Sequence, residues 1–141
     1  MKRSAFTLVE LLIVVVILGI LAAVVVPQFS DASTDARISS LGTNLATIRG
    51  QLELYKLQHN GNYPALLTFT AQMTAGTKAD GTAGADFGPY LQRIPNNPFS
   101  NTNDVSTDAA ASDKAWHYTA ATGAFKANDG GTTNGVTHAS M

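Results

Sequence analysis

From Leu11 to Val26 the chain reads LLIVVVILGILAAVVV, apolar throughout and broken only by the small Gly19. A helix over the 21 residues from Phe6 to Val26, at about 1.5 Å per residue, reaches roughly 30 Å, the thickness of a bilayer core. A helix apolar on every side cannot lie on a soluble domain with one face in water, so it must be surrounded by lipid or by other apolar helices. Two ordinary accounts are a cleaved secretory peptide and a membrane anchor. The run is longer than the roughly 7–15 residues of a secretory apolar region, and Ala22-Ala23 is followed by more valine instead of a polar start. An anchor survives that comparison but leaves Glu10 unexplained.

A carboxylate at the edge of hydrocarbon costs several kcal/mol unless it is neutralised, hydrogen-bonded or paired. Lys2 and Arg3 are candidate partners on the same terminus. The other solution is intermolecular. Cleavage before Phe6 would create an α-amino group at the start of the apolar helix, and in a staggered array one subunit's Glu10 would meet its neighbour's amine. Two costly charges would then cancel on assembly.

Composition removes several function classes. The chain has 141 residues, enough for one modest domain beside the apolar segment, and outside that segment it is rich in Ala, Thr, Asn, Asp and Gly. Its net charge is -1 with no basic run beyond Lys2-Arg3, so no nucleic-acid partner is expected. The absence of cysteine excludes disulfides, a thiolate nucleophile and cysteine-bound zinc. His59, His117 and His138 are far apart without ligand spacing and read as surface or strand residues. No phosphate loop, GxSxG elbow or EF-hand spacing occurs, so the chain is not expected to be an enzyme.

Lys2-Arg3-Ser4-Ala5, then Phe6-Thr7-Leu8-Val9-Glu10 and the run to Pro27, closely resembles the class III signal of type IV pilins and type II secretion pseudopilins. The resemblance implies that a prepilin peptidase cuts between Ala5 and Phe6 and methylates the new Phe6 amine. Glu10 matches the carboxylate that pairs with a neighbour's N-terminus and sets register during assembly. The chain departs from the family at Ala5, where glycine is usual. Gly19 and Pro27 bracket a stretch that in related filaments loses helical order on assembly; Gly weakens a helix interior by about 1 kcal/mol, and Pro27 lacks the N–H that would bond to Ala23. Ordinary packing in a membrane helix is the other reading of both residues. Removal of the leader would leave seven basic against ten acidic side chains.

The resemblance implies an α+β, type IV pilin-like fold in which a long N-terminal helix packs on a small antiparallel sheet. Four regions are expected: a leader at 1–5, a transmembrane and filament-core helix at 6–27, an amphipathic upper helix at 28–60 and a globular region at 61–141. In the upper helix, Ile38, Leu41, Leu45, Ile48, Leu52 and Tyr55 recur at three- and four-residue spacing, a face to be buried. A two-stranded coiled coil would also use that spacing, but Leu54 and Leu57 widen the stripe and a globular region follows. Asn60-Gly61 supplies a stop. Asp31, Asp35 and Arg37 occupy the first turns, and Arg49 and Glu53, four apart, are positioned for a local ion pair or one between subunits.

Beyond the helix, a short helix is expected over 66–74. The Tyr63-Pro64 turn and the "GPYL…IPxxPF" pattern of Gly88 to Phe99 resemble the middle of major pseudopilins. Residues 100–112 read as an exposed loop. Trp116 and Tyr118 alternate with polar residues as in a strand, and Ala124 to Ala127 can return antiparallel after the turn at Gly123. Calcium is a candidate cofactor because the resemblance implies oxygen ligands in the C-terminal loops. Asp104, Asp108, Asp113, Asn128 and Asp129 supply candidate oxygens, of which calcium takes six to eight, and a solvated loop is the other reading.

The leading reading is a major pseudopilin that polymerises into a periplasmic filament for protein export. A surface type IV pilin for adhesion, twitching motility or DNA uptake is the alternative, and a single-pass envelope enzyme lacks any catalytic constellation. The implied partners are further copies of the chain, the prepilin peptidase, an inner-membrane assembly platform, its ATPase and minor pseudopilins. The implied location is the inner membrane, crossed once, with the globular region in the periplasm.

Overall fold

The computed structural model of the chain describes residues 6–107 and 114–141. Ala5, Asp108 and Asp113 therefore lie outside the described residues. The chain divides into two compact units, Met1–Ala36 and Arg37–Met141.

Helix α1 runs from Leu8 to Gln58. In the first unit it carries the uniformly apolar segment, and its large side chains from Leu8 to Val26 are exposed in the single chain. The helix continues past positions 19 and 27, and Gly19 has nothing within 4 Å of where a Cβ would stand. The segment is thus a bare apolar cylinder, long and apolar enough to cross a membrane.

In the second unit, the part of α1 after Ala36 buries most of the face anticipated from its spacing, with Ile38 half-buried and Leu54 and Leu57, expected to widen the stripe, exposed at 40% and 80%. Leu41, Leu45, Ile48, Leu52 and Tyr55 are each at most 1% exposed, and full burial of such side chains contributes about 1.5–3 kcal/mol each. The helix stops where Asn60 turns left-handed at φ 55° and the Gly61 N–H returns to the Lys56 carbonyl at 2.9 Å. That bond is the 6→1 closure of a Schellman cap.

A 3₁₀ turn at Leu66–Thr68 leads into α2, Phe69–Thr74. Phe69 and Met73 are buried from it, and the Met73 carbonyl accepts the N–H groups of both Tyr90 and Leu91. This brings the proline-rich connection back onto the core, where Tyr90 and Ile94 are buried and Phe87, Leu91 and Phe99 pack against them. The Trp116 indole N–H donates to the Pro95 carbonyl at 2.9 Å, so the largest core side chain also fixes the connection.

Strands β2 (Trp116–Thr119) and β3 (Ala124–Ala127) pair antiparallel, with Trp116 opposite Ala127 and Tyr118 opposite Phe125. Alternation sends Trp116, Tyr118 and Phe125 into the core. The α+β, type IV pilin-like fold is therefore present: a long helix on a small sheet, with the aromatic residues between them. Three strands differ from the sequence expectation. Strand β1 (Val105–Ser106) adds parallel to β2 inside the stretch expected to be loop; two residues are too few for alternation to reveal it. A second hairpin, β4 (Thr132–Thr133) with β5 (Val136–Thr137), turns at Asn134 and Gly135, whose φ values are 51° and 79°. Asn-Gly is the preferred pair for this type I′ turn, and the sequence carries it at 134–135.

Candidate functional site

Two polar constellations stand out, one in each unit. At the start of α1, the Thr7 backbone N–H and hydroxyl both donate to Glu10 Oε2 at 2.8 Å. The Glu10 N–H returns to the Thr7 hydroxyl at 3.2 Å. This reciprocal arrangement is a capping box, which satisfies donors that a helix start leaves open. Thr-x-x-Glu is its sequence signature, present at residues 7–10. In the single chain, then, the carboxylate is occupied within its own first turn. Phe6 is exposed immediately before this turn.

The second constellation holds the C-terminal segment. Asp129 Oδ1 accepts the Gly131 N–H at 2.8 Å and the His138 Nδ1–H at 2.7 Å. Its Oδ2 accepts from the Asn97 amide at 2.7 Å. On the far side of the imidazole, His138 Nε2 lies 2.9 Å from the Thr133 hydroxyl, and the Phe99 ring centroid is 4.0 Å from that of the imidazole. The Asp129 and His138 side chains are only 4% and 3% exposed. An ionised carboxylate can only accept, so the Nδ1 proton faces Asp129.

His138 and His59 thus correct the expectation of surface or strand histidines. His59 is buried, stacked on Tyr55 with ring centroids 3.6 Å apart, and bonded to the Tyr55 carbonyl at 2.8 Å and the Thr77 hydroxyl at 2.9 Å. Each has partners nearby in the chain, but the burial also needs a distant one, Thr77 for His59 and Phe99 for His138, which spacing does not reveal. His117 does occupy strand β2.

Among the calcium candidates, the Asp104 carbonyl accepts the Trp116 N–H while its side chain is exposed, and Asn128 is buried. Among the described residues no group of three or more His, Cys, Asp or Glu side chains gathers as a metal site. Arg49 and Glu53 do not form the local pair. Arg49 Nε and Nη2 donate to the Phe125 carbonyl at 3.0 and 2.8 Å, and Nη1 donates to the Met141 carbonyl at 2.8 Å. Glu53 instead accepts the Tyr63 hydroxyl at 2.6 Å. The Lys56 ammonium lies 4.6 Å from the centre of the same ring, and its hydrogen bond to the Tyr63 hydroxyl raises its pKa.

Comparison with known proteins bears on the N-terminal constellation first. Residues 1–26 match the prokaryotic N-terminal methylation motif. Over 103 residues the chain is 35% identical to the type II secretion system core protein G of Pseudomonas aeruginosa, covering 71% of this chain and 70% of the relative. It is 31% identical to the protein of the same name from Klebsiella pneumoniae over 101 residues, covering 71% of each, and 35% identical to that of Vibrio cholerae over 101 residues, 71% of this chain and 68% of the relative. No solved structure matches. With the methylation motif, the capped apolar helix and similarity extending well past it, the chain belongs to the family of type II secretion system core protein G.

Proposed function

We propose that the chain is the repeating structural subunit of the type II secretion pseudopilus, a filament assembled from the inner membrane for protein export. Family membership makes it a structural component and not an enzyme. The observation that carries the mechanism is the exposed apolar segment of α1 opening on the Thr7–Glu10 capping box. Such a surface is stable in lipid or against copies of itself, so polymerisation exchanges one apolar environment for another. Specificity and register must then come from polar groups, which are costly wherever they are left unmatched.

In this reading Glu10 is held by Thr7 while the subunit waits in the membrane. Cleavage between Ala5 and Phe6 releases an amine, which the peptidase methylates, and the neighbour's Phe6 amine takes up Glu10 in the filament. Lys2 and Arg3 keep the N-terminus cytoplasmic before cleavage, which directs the second unit into the periplasm. The stretch between Gly19 and Pro27 is the place where the helix loosens on assembly, since Gly19 adds no side-chain packing and Pro27 supplies no N–H. An inner-membrane platform, its ATPase and minor pseudopilins complete the machinery.

Deletion of the gene tests the reading. Secretion of folded exoproteins should stop while twitching and surface fibres persist, and in the parent strain the mature protein should have the mass of a chain that begins at methylated Phe6. Lost fibres with intact secretion would identify a surface pilin instead.

A further inference from the structure

We propose that the C-terminal segment is closed without a metal ion, by a hydrogen-bonded relay in which the His138 imidazole supplies what a cation would otherwise supply to Asp129. The family resemblance raises calcium at these loops, and the residues at Asp129 do not fit it. Calcium takes six to eight oxygen ligands. Both oxygens of the Asp129 carboxylate already face N–H donors: the Gly131 backbone, the His138 ring and the Asn97 amide. The Asn97 carbonyl oxygen is likewise occupied, by the Phe99 N–H at 2.9 Å.

A cation entering here would have to displace those donors, leaving nearly buried N–H groups unpaired. There is also no spare volume on the Gly131 side. A Cβ at that position would stand 2.5 Å from His138 Cε1 and Nδ1 and 2.8 Å from Asp129 Oδ1. The imidazole itself is held from every direction, by Asp129, by Thr133 and by the Phe99 ring. Its backbone N–H closes the segment on the Gly131 carbonyl at 3.0 Å.

The relay ties the local cluster of Asp129, Gly131, Thr133 and His138 to Asn97, 32 residues away from Asp129. Asn97 also donates to the Ala115 carbonyl beside β2, so the C-terminal hairpin is tied through Asp129 to both the proline-rich connection and the sheet. Removing the imidazole would leave the Asp129 carboxylate short of one donor in a place that water barely reaches.

The test is thermal unfolding of the full-length chain in detergent, in millimolar calcium chloride and in excess EGTA, with calcium binding measured directly by calorimetry. The two midpoints should coincide and no heat of binding should appear. A higher midpoint in calcium, or stoichiometric binding, would overturn the proposal, because a ligand specific to the folded state raises its stability. His138→Ala should lower the midpoint by about 5–10 °C, and His138→Asn, which keeps a donor near the Nδ1 position, should recover part of the loss. An unchanged midpoint in His138→Ala would also refute the relay. Should that variant fail to fold, the wild-type comparison in calcium and EGTA still decides.

Discussion

The Arg49 guanidinium meets the Phe125 carbonyl twice, through Nε at 3.0 Å and Nη2 at 2.8 Å. A helix side chain thereby closes on a strand carbonyl, and its third contact reaches Met141. The planar fork matters because a lysine cannot make the paired contact. Hydrogen bonds from a charged group contribute about 1.5–3 kcal/mol, so Arg49→Ala should lower the melting midpoint by about 5–15 °C. Arg49→Lys should recover only part of this. A lysine variant that melts like the wild type would show that charge alone suffices.

Glu10→Ala should enter the membrane normally yet fail to form filaments, because the apolar segment is untouched while the only carboxylate in it is lost. Thr7→Val removes the hydroxyl cap, at about 1 kcal/mol of local helix stability, but spares Glu10 for its neighbour. Filaments should therefore form in the Thr7 variant. Membrane fractionation with electron microscopy of sheared filaments reads both effects, and normal filaments in Glu10→Ala would rule out charge pairing as the assembly device.

Gly123 occupies the turn between β2 and β3 at φ 72°, where a side chain is strained. A Cβ there would also overlap the Tyr63 ring, which Glu53 and Lys56 hold in place. Gly123→Ala should cost about 2–4 kcal/mol by strain and overpacking together. Chemical denaturation would measure it. A loss below about 1 kcal/mol would mean that Tyr63 moves aside freely.

Tyr118 donates its hydroxyl to the Pro64 carbonyl at 2.7 Å. Burial pushes its phenol well above the ordinary tyrosine range, with Tyr55 and Tyr63 adding to the shift. The folded state therefore prefers the neutral phenol. Its contribution is complete below the unfolded value near 10 and is lost as pH rises from there through the raised folded value. Stability should fall above about pH 10, less steeply in Tyr118→Phe, with Tyr55 and Tyr90, also raised by burial, supplying the remaining slope. Parallel declines in the two proteins would refute the assignment to Tyr118.

What could be read before folding was whatever depends on neighbours in the chain. The helical spacing from Leu41 to Tyr55 and the alternation at Trp116 and Tyr118 follow from a local period of 3.6 or 2 residues, while the apolar run and the Asn60-Gly61 stop are signals of local composition and capping. The Thr7–Glu10 capping box and the Asn134-Gly135 hairpin were equally local, and both had recognisable signatures. Tertiary structure alone decided the rest. Arg49 turned from Glu53, four residues away, to Phe125, and His138 became the buried partner of Asp129, Thr133 and Phe99. The parallel addition of β1 to β2 was also a product of the assembled fold. For Arg49 and His138 the physical reason is the same: a charged or polar side chain in a forming core takes the partners that remain once apolar burial has set the backbone in place. Those partners are selected by desolvation and geometry in three dimensions, for which spacing along the sequence carries no signal.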